Sequence, residues 1–217
     1  MVKATDNSIN EPSRSLSLPT GGGVVIDMGT GDGVFVYHQA RENPHKFYIG
    51  IDANPSQLEK ISEKIHRKPA KGGLPNVLFI QAPVEALPPE LDGVADELHI
   101  HFPWGSLLRA VASGDEAVLR RLRRMCASGA LLEVIIGLDP QRDQSEIAGL
   151  GLEPITAEFL AMTLVPRYEA VGFAVLEKGL LSPAEWPQLK TSWAKRLQGG
   201  AGRALIYLIA QAVEVQA

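Results

Sequence analysis

The sequence predicts an α/β fold, a mostly parallel sheet with helices on both faces, and three observations carry that reading. Strand-like and helix-like segments alternate regularly from residue 24 onward, the pattern that parallel βαβ units produce. The apolar run Val24-Val25-Ile26-Asp27-Met28 leads straight into Gly29-Thr30-Gly31-Asp32-Gly33, a turn whose glycines reach backbone conformations closed to other residues. A second strand-like run, Phe47 to Ile51, ends in Asp52. That is about twenty residues past the turn, where a carboxylate can accept hydrogen bonds from both hydroxyls of a ribose.

Taken in order, residues 1–22 are rich in Ser, Asn, Pro, Thr and Gly without apolar periodicity. They read as a flexible segment ahead of a single domain spanning 23–217. Strands are predicted at about 24–29, 47–52, 76–82, 95–102, 130–137, 172–181 and 204–213, and helices at about 33–43, 54–67, 105–126 and 156–170. Asn54-Pro55 opens the second helix, with proline in the first turn where its missing N–H is harmless. Two segments interrupt the alternation. Residues 139–155, with Gln141, Arg142, Asp143 and Gln144, form a polar link, and residues 182–203 lie between the last two strands. Both leave the sheet near the ligand-bearing edge, so both are expected to shape a substrate pocket.

The glycine turn points to an adenosine-containing cofactor. A dinucleotide lays its pyrophosphate on a helix N-terminus, a position that disfavours nearby acids. Here Asp27 precedes the turn and Asp32 lies within it. Carboxylates repel a pyrophosphate but attract the ammonium and sulfonium of S-adenosylmethionine, so the methyl donor is favoured over NAD. Asp27 itself is read either as a ligand of the cofactor's amino group or as an acceptor that braces the turn. The last two strands have no long helix between them, as in the antiparallel ending of a seven-stranded methyltransferase sheet.

Composition bounds the rest. The 217 residues, 45% of them hydrophobic, suit one α/β domain with a full core. No apolar run reaches the length of a membrane span and the start lacks a secretory pattern, so a cytoplasmic location is expected. Cys126 is the single cysteine, which excludes a disulfide framework and a cysteine-based metal site. His99 and His101 share one face of a predicted strand, where packing or hydrogen bonding is expected rather than metal binding. The net charge of −4 argues against a generic nucleic-acid binder. Yet Lys60, Lys64, Arg67, Lys68 and Lys71 face only Glu63 between residues 60 and 71, and Lys190, Lys195, Arg196 and Arg203 form a second acid-free cluster. Both suit phosphate contact. A third cluster, Arg120, Arg121, Arg123 and Arg124, reads as solvated surface.

The fourth strand of the α/β core ends in His101-Phe102-Pro103-Trp104-Gly105-Ser106, at the edge where such sheets bind ligands. Trp104 is expected over the cofactor's methyl group. Thr191-Ser192-Trp193-Ala194-Lys195-Arg196 offers a second tryptophan beside two cations. Two tryptophans at one pocket suggest a flat base clamped between them, since base–aromatic stacking contributes ~1–3 kcal/mol per base. Trp186 lies between Glu185 and Pro187 and is not assigned to that clamp. Glu85 is placed either to bound the adenine side of the cofactor pocket or as a solvated carboxylate at a helix start.

Four segments together resemble the Kam-type aminoglycoside-resistance methyltransferases. They are Asp27-Met28-Gly29-Thr30-Gly31-Asp32-Gly33, Arg67-Lys68-Pro69-Ala70-Lys71-Gly72-Gly73-Leu74, Phe102-Pro103-Trp104-Gly105-Ser106-Leu107-Leu108 and Ser192-Trp193-Ala194-Lys195-Arg196-Leu197. The resemblance runs from about residue 24 to the C-terminus. It implies a Rossmann-like class I fold, seven-stranded and mostly parallel with an antiparallel last strand. It implies methylation of N1 of adenine 1408 of 16S rRNA, in the 30S subunit, by a monomer using S-adenosylmethionine and releasing S-adenosylhomocysteine. Carried over by position, it assigns Asp27, Gly29, Asp52 and Glu85 to the cofactor, with Thr30, Gly31, Ala82, Pro103, Ser106 and Thr191 in the same pocket. Trp104 and Trp193 would stack on the flipped adenine. Lys64, Arg67, Lys68, Lys71, Arg196 and Arg203 would hold rRNA phosphates, and no metal is implied. The link Glu146 to Gly151 departs from the family in lacking basic residues. Two other readings fit the residues less closely: another RNA methyltransferase, such as one making 7-methylguanosine in tRNA, and a cofactor-binding protein without turnover.

Overall fold

The structure, a computed structural model of the chain, describes residues 2–3, 22–138, 142–181 and 205–214. Its strands are β1 (Val2–Lys3), β2 (Val24–Met28), β3 (Phe47–Asp52), β4 (Val77–Gln81), β5 (Ala95–His101), β6 (Cys126–Ile136), β7 (Phe173–Leu181) and β8 (Leu205–Ala212). They form one sheet in the order β1-β4-β3-β2-β5-β6-β8-β7. Pairing is parallel from β1 to β6, and β8 runs antiparallel to both β6 and β7. All seven expected strands are present. The flexible reading of residues 1–22 does not extend to Val2–Lys3, which pair with Ile80 and Gln81 of β4 and add an eighth, edge strand.

Strand alternation sorts the core into two layers. Val24, Ile26 and Met28 of β2, with Ile49 and Ile51 of β3, point to one face. There they meet helices α3 (Gly105–Ser113) and α4 (Glu116–Met125). Val25, Tyr48, Val77 and Phe79 point to the other face, against α1 (Val34–Glu42) and α2 (Pro55–Ile65). Every residue of β2 is buried, as expected for a central strand covered on both faces.

The predicted helix over 105–126 is two helices. Gly114 takes a left-handed conformation (φ 69°) that ends α3, and the Asp115 side chain accepts from the Val118 N–H at 3.1 Å to start α4. Glycine stop and aspartate cap are adjacent in sequence, and together they outweigh the continuous apolar periodicity. The polar link at 139–155 holds a short helix, α5 (Gln144–Leu150). The helix expected at 156–170 is composite: α6 (Ala157–Phe159), a π-helical turn at Leu160–Leu164 and α7 (Val165–Glu169). The interruption at 182–203 lies outside the described residues.

The arginines of α4 are not simply solvated. The Arg123 guanidinium donates to the Gly172 carbonyl at 3.0 Å and to the Val213 carbonyl at 2.6 Å, tying α4 to the start and end of the antiparallel hairpin. Arg121 donates to the Glu85 carbonyl, and Arg120 pairs with Glu116 one turn back at 2.7 Å. Solvated surface describes Arg124 best, with Asp92 only at 4.0 Å.

Candidate cofactor and target-base site

The glycine turn is bound to the end of the neighbouring strand. The N–H groups of Gly29 and Thr30 both donate to the Ile51 carbonyl, at 2.8 and 3.0 Å. This folds the chain back so that Gly31 faces Asp52. The Gly31 N–H then donates to Oδ2 of Asp52 at 2.8 Å, and the Asn54 N–H donates to Oδ1 at 2.8 Å. Each oxygen is fixed by one backbone donor and keeps acceptor capacity for a further bond. Asn54 also caps α2, its side chain accepting from the Ser56 N–H at 3.2 Å. Glycine is required in the turn: at Gly29 (φ 77°) a Cβ would lie 2.8 Å from Leu107 Cδ2.

Above this turn lies an open cavity of about 380 Å³ at the carboxyl ends of β2, β3, β4 and β5, within the usual range for small-ligand sites. Met28, Gly29, Gly31, Ile51, Asp52, Asn54 and Gln57 line one side; Ala82, Pro83, Val84, Phe102, Trp104, Gly105, Ser106 and Leu107 line the other. Asp52 supplies the carboxylate among them. Phe102 is the only non-glycine residue at positive φ (51°) among the described residues, and its N–H is held by the Ile135 carbonyl at 2.8 Å. Strain of this kind gathers at working sites. Here it turns the chain at the end of β5 so that Trp104, at the start of α3, stands 51% exposed beside the cavity.

The structure therefore brings Gly29, Gly31, Asp52, Ala82, Trp104 and Ser106 to one cavity. Thr30 and Pro103 are buried in the frame beside it. Asp27 is almost wholly buried beneath the turn, and burial raises its pKa; the charge of His101, then Thr30 and His99, pulls it back down, while Asp52 adds to the rise. Glu85 is exposed in a 3₁₀ turn (Val84–Ala86) outside the lining. Thr191, Trp193, Arg196 and Arg203, and Trp186 with them, lie outside the described residues.

Sequence reasoning missed Gln57 and the second role of Asn54. The signal was present: Gln57 follows Asn54 by three residues, a capping-box spacing that places both at the N-terminus of α2. His99 and His101 are packed and bonded as expected, with Phe35 against both rings and Glu133 Oε1 2.5 Å from His101 Nε2.

The basic segment forms the far end of α2 and a 3₁₀ turn (Pro69–Lys71). Arg67, Lys68 and Lys71 are exposed. Lys64 differs: its ammonium lies 3.8 Å over the Tyr37 ring, and the Tyr37 hydroxyl donates to the Gly72 carbonyl at 3.1 Å. No helix among the described residues is long and apolar enough to cross a membrane.

A parallel sheet ending in a reversed strand, a glycine turn, and a strand-end acid at a cavity beyond the carboxyl ends of the strands are the features of a class I S-adenosylmethionine-dependent methyltransferase. Comparison with known proteins narrows the class. Residues 15–212 match the family model described as NpmA: 16S rRNA (adenine(1408)-N(1))-methyltransferase. A 16S rRNA (adenine(1408)-N(1))-methyltransferase of Streptoalloteichus tenebrarius is 43% identical over 180 residues, 83% of this chain and 82% of that one. The crystal structure of the aminoglycoside resistance methyltransferase NpmB1 is 45% identical with a TM-score of 0.76, covering 88% of this chain and 87% of its own. A variant of the 16S rRNA (adenine(1408)-N(1))-methyltransferase from Catenulisporales acidiphilia, solved with its cosubstrate SAM, is 34% identical with a TM-score of 0.79, covering 90% and 88%. The chain belongs to the 16S rRNA (adenine(1408)-N(1))-methyltransferase family, and S-adenosylmethionine is its cosubstrate.

Proposed function

We propose that this chain carries out its family's reaction, methyl transfer from S-adenosylmethionine to N1 of adenine 1408, on the assembled 30S subunit, and so confers aminoglycoside resistance. The observation that carries the reading is Trp104, half exposed at the mouth of the cavity whose other side holds Asp52. A ribose anchored at Asp52 sets the cofactor's direction, and an aromatic face beside the cavity offers a stacking platform for a base taken out of its helix. Trp193 serves as the second plate of that clamp.

The chemistry asks little of the protein beyond position. Adenine N1 carries a lone pair at neutral pH. It attacks the methyl carbon as the carbon–sulfur bond breaks; the sulfonium becomes a neutral thioether and the positive charge passes to the base. No general base is needed before transfer. Holding N1 in line with the methyl group can supply ~7–11 kcal/mol.

The position of α2 supports an RNA surface at its far end. Its first turn lines the cavity, and its 11 residues carry the Arg67–Lys71 segment about 16 Å away. A substrate that stacks on Trp104 and also reaches those cations must be a large, shaped RNA, not a nucleoside. Methylation of purified 30S subunits with labelled cofactor, followed by mapping of the modified nucleotide, tests the whole reading. Label at adenine 1408 in 30S subunits supports it; equal labelling of free adenosine overturns it.

A further inference from the structure

A row of charged side chains crosses the face of the sheet that carries α1, and methyl transfer as described makes no use of it. His99 and His101 alternate on β5 and so share that face; their rings stack with centroids 5.1 Å apart and 17° between planes. Glu133 of β6 is the register partner of His99 and places Oε1 2.5 Å from His101 Nε2. Glu97 stands on the same face of β5, 3.5 Å from His99 Nε2 and 2.5 Å from Lys46 Nζ. On the other side of β5, Asp27 of β2 is also paired in register with His99. The row thus ends under the cofactor turn. The Nδ1 atoms of both imidazoles are buried without a hydrogen-bond partner among the described residues, an arrangement a purely structural core avoids.

We propose that His101, held by Glu133, is a positioning residue for the cofactor's amino group and acts through Asp27. The proposal rests on the reading that Asp27 faces that group. A buried carboxyl tends to take up a proton. Positive charge on the same face in a dry setting opposes this: the β2–β5 register sets His99 opposite Asp27, with His101 two residues further along that face, and His101 holds the Glu133 carboxyl below its ordinary value. Of the groups facing Asp27, His101 and His99 favour its anion, Thr30 assists, and Asp52 opposes. Glu97 and Lys46 act further along the row, through His99. An anion is thereby kept where the cofactor's ammonium docks.

The test is calorimetric titration of S-adenosylmethionine into the full chain between about pH 6 and 9, for the parent, His101→Leu, Glu133→Gln and Asp27→Asn. Affinities are read as ratios to the parent at each pH, so the cofactor's own titration cancels. Removing the imidazole leaves the effect of burial less opposed, so Asp27 binds a proton at a higher pH than in the parent. The expected result for His101→Leu is affinity within about threefold of the parent at pH 9, falling to about tenfold weaker or more near pH 6. Glu133→Gln shows the same tilt, smaller, and carries the test alone if His101→Leu does not fold. Asp27→Asn is weaker at pH 9 as well as at pH 6. Ratios for His101→Leu and Glu133→Gln that do not change with pH overturn the proposal and leave the histidines a packing role. Unchanged affinity in Asp27→Asn overturns it differently, by removing the amino-group reading of Asp27 itself.

Discussion

The Gly31 N–H donates to Oδ2 of Asp52 at 2.8 Å, across the gap between the cofactor turn and the end of β3. With the Asn54 N–H on Oδ1 at the same distance, the carboxylate is fixed by the protein's own backbone. A preorganised acceptor of this kind gives up little side-chain freedom on binding, so more of each hydrogen bond reaches the affinity.

Asp52→Ala is accordingly expected to lose two charge-assisted hydrogen bonds to the ribose, each contributing ~1.5–3 kcal/mol. Calorimetry should show S-adenosylmethionine affinity reduced by about two orders of magnitude or more. A folded variant with parental affinity would remove the ribose assignment.

Trp104→Ala should abolish or nearly abolish methylation of 30S subunits while cofactor affinity changes by less than about threefold, because stacking on the target base is lost and the ribose anchor is not. Trp104→Phe, which keeps a smaller aromatic face, should retain part of the turnover. Trp193→Ala should match Trp104→Ala, and Trp186→Ala should be much milder. Equal sensitivity at Trp186 and Trp193 would count against the clamp.

The basic segment separates two roles. Lys68→Glu with Lys71→Glu should weaken 30S binding and flatten its salt dependence by about one unit of slope for each phosphate no longer neutralised, with thermal stability unchanged. Lys64→Ala should instead lower stability by ~0.5–1 kcal/mol, since its ammonium lies over the Tyr37 ring. Filter binding across a salt series, paired with thermal melts, distinguishes them. Charge reversals that leave the 30S affinity and slope unaltered would dismiss this segment as an RNA surface.

Two glycines that both lie in the left-handed backbone region predict unequal costs. Gly33 (φ 69°) has Phe79 ring atoms at 2.7 Å and an Ile61 methyl at 2.9 Å from where a Cβ would stand; Gly151 (φ 63°) has nothing within 4 Å. Gly151→Ala should cost about 1–2 kcal/mol from the left-handed backbone alone. Gly33→Ala should cost ~1–3 kcal/mol more, for overpacking. Denaturant melts of the two variants check the order.

Acid stability has a local source in Glu97. His99 first, and then Lys46, hold its carboxyl at about 2, below its ordinary value of 4.5. A carboxyl with a lower pKa folded than unfolded stabilises the fold above the unfolded value, and that contribution is lost as pH falls from there through the folded one. Partial exposure reduces the size of the effect. The melting temperature of Glu97→Gln should therefore fall less steeply than the parent's between about pH 4.5 and 2. Parallel acid limbs would show that Glu97 is not the source.

What the sequence by itself determined was everything written in short-range pattern. The buried strand, the glycine turn, the acid closing the next strand and the Asn-Pro start of α2 each depend on residues a few positions apart, so composition and spacing suffice to read them. They place the cofactor end of the sheet and single out Asp52 and Trp104. The tertiary structure decided what depends on residues far apart in the chain. Arg123 reaches carbonyls 49 and 90 positions away, and that reach makes a seemingly solvated arginine a tie between α4 and the hairpin. Lys64 is separated from its neighbours in the basic run by a tyrosine from another helix. His101 meets Glu133 because β5 lies beside β6. Periodicity says which face of an element is buried; only packing says which distant charge it is buried against.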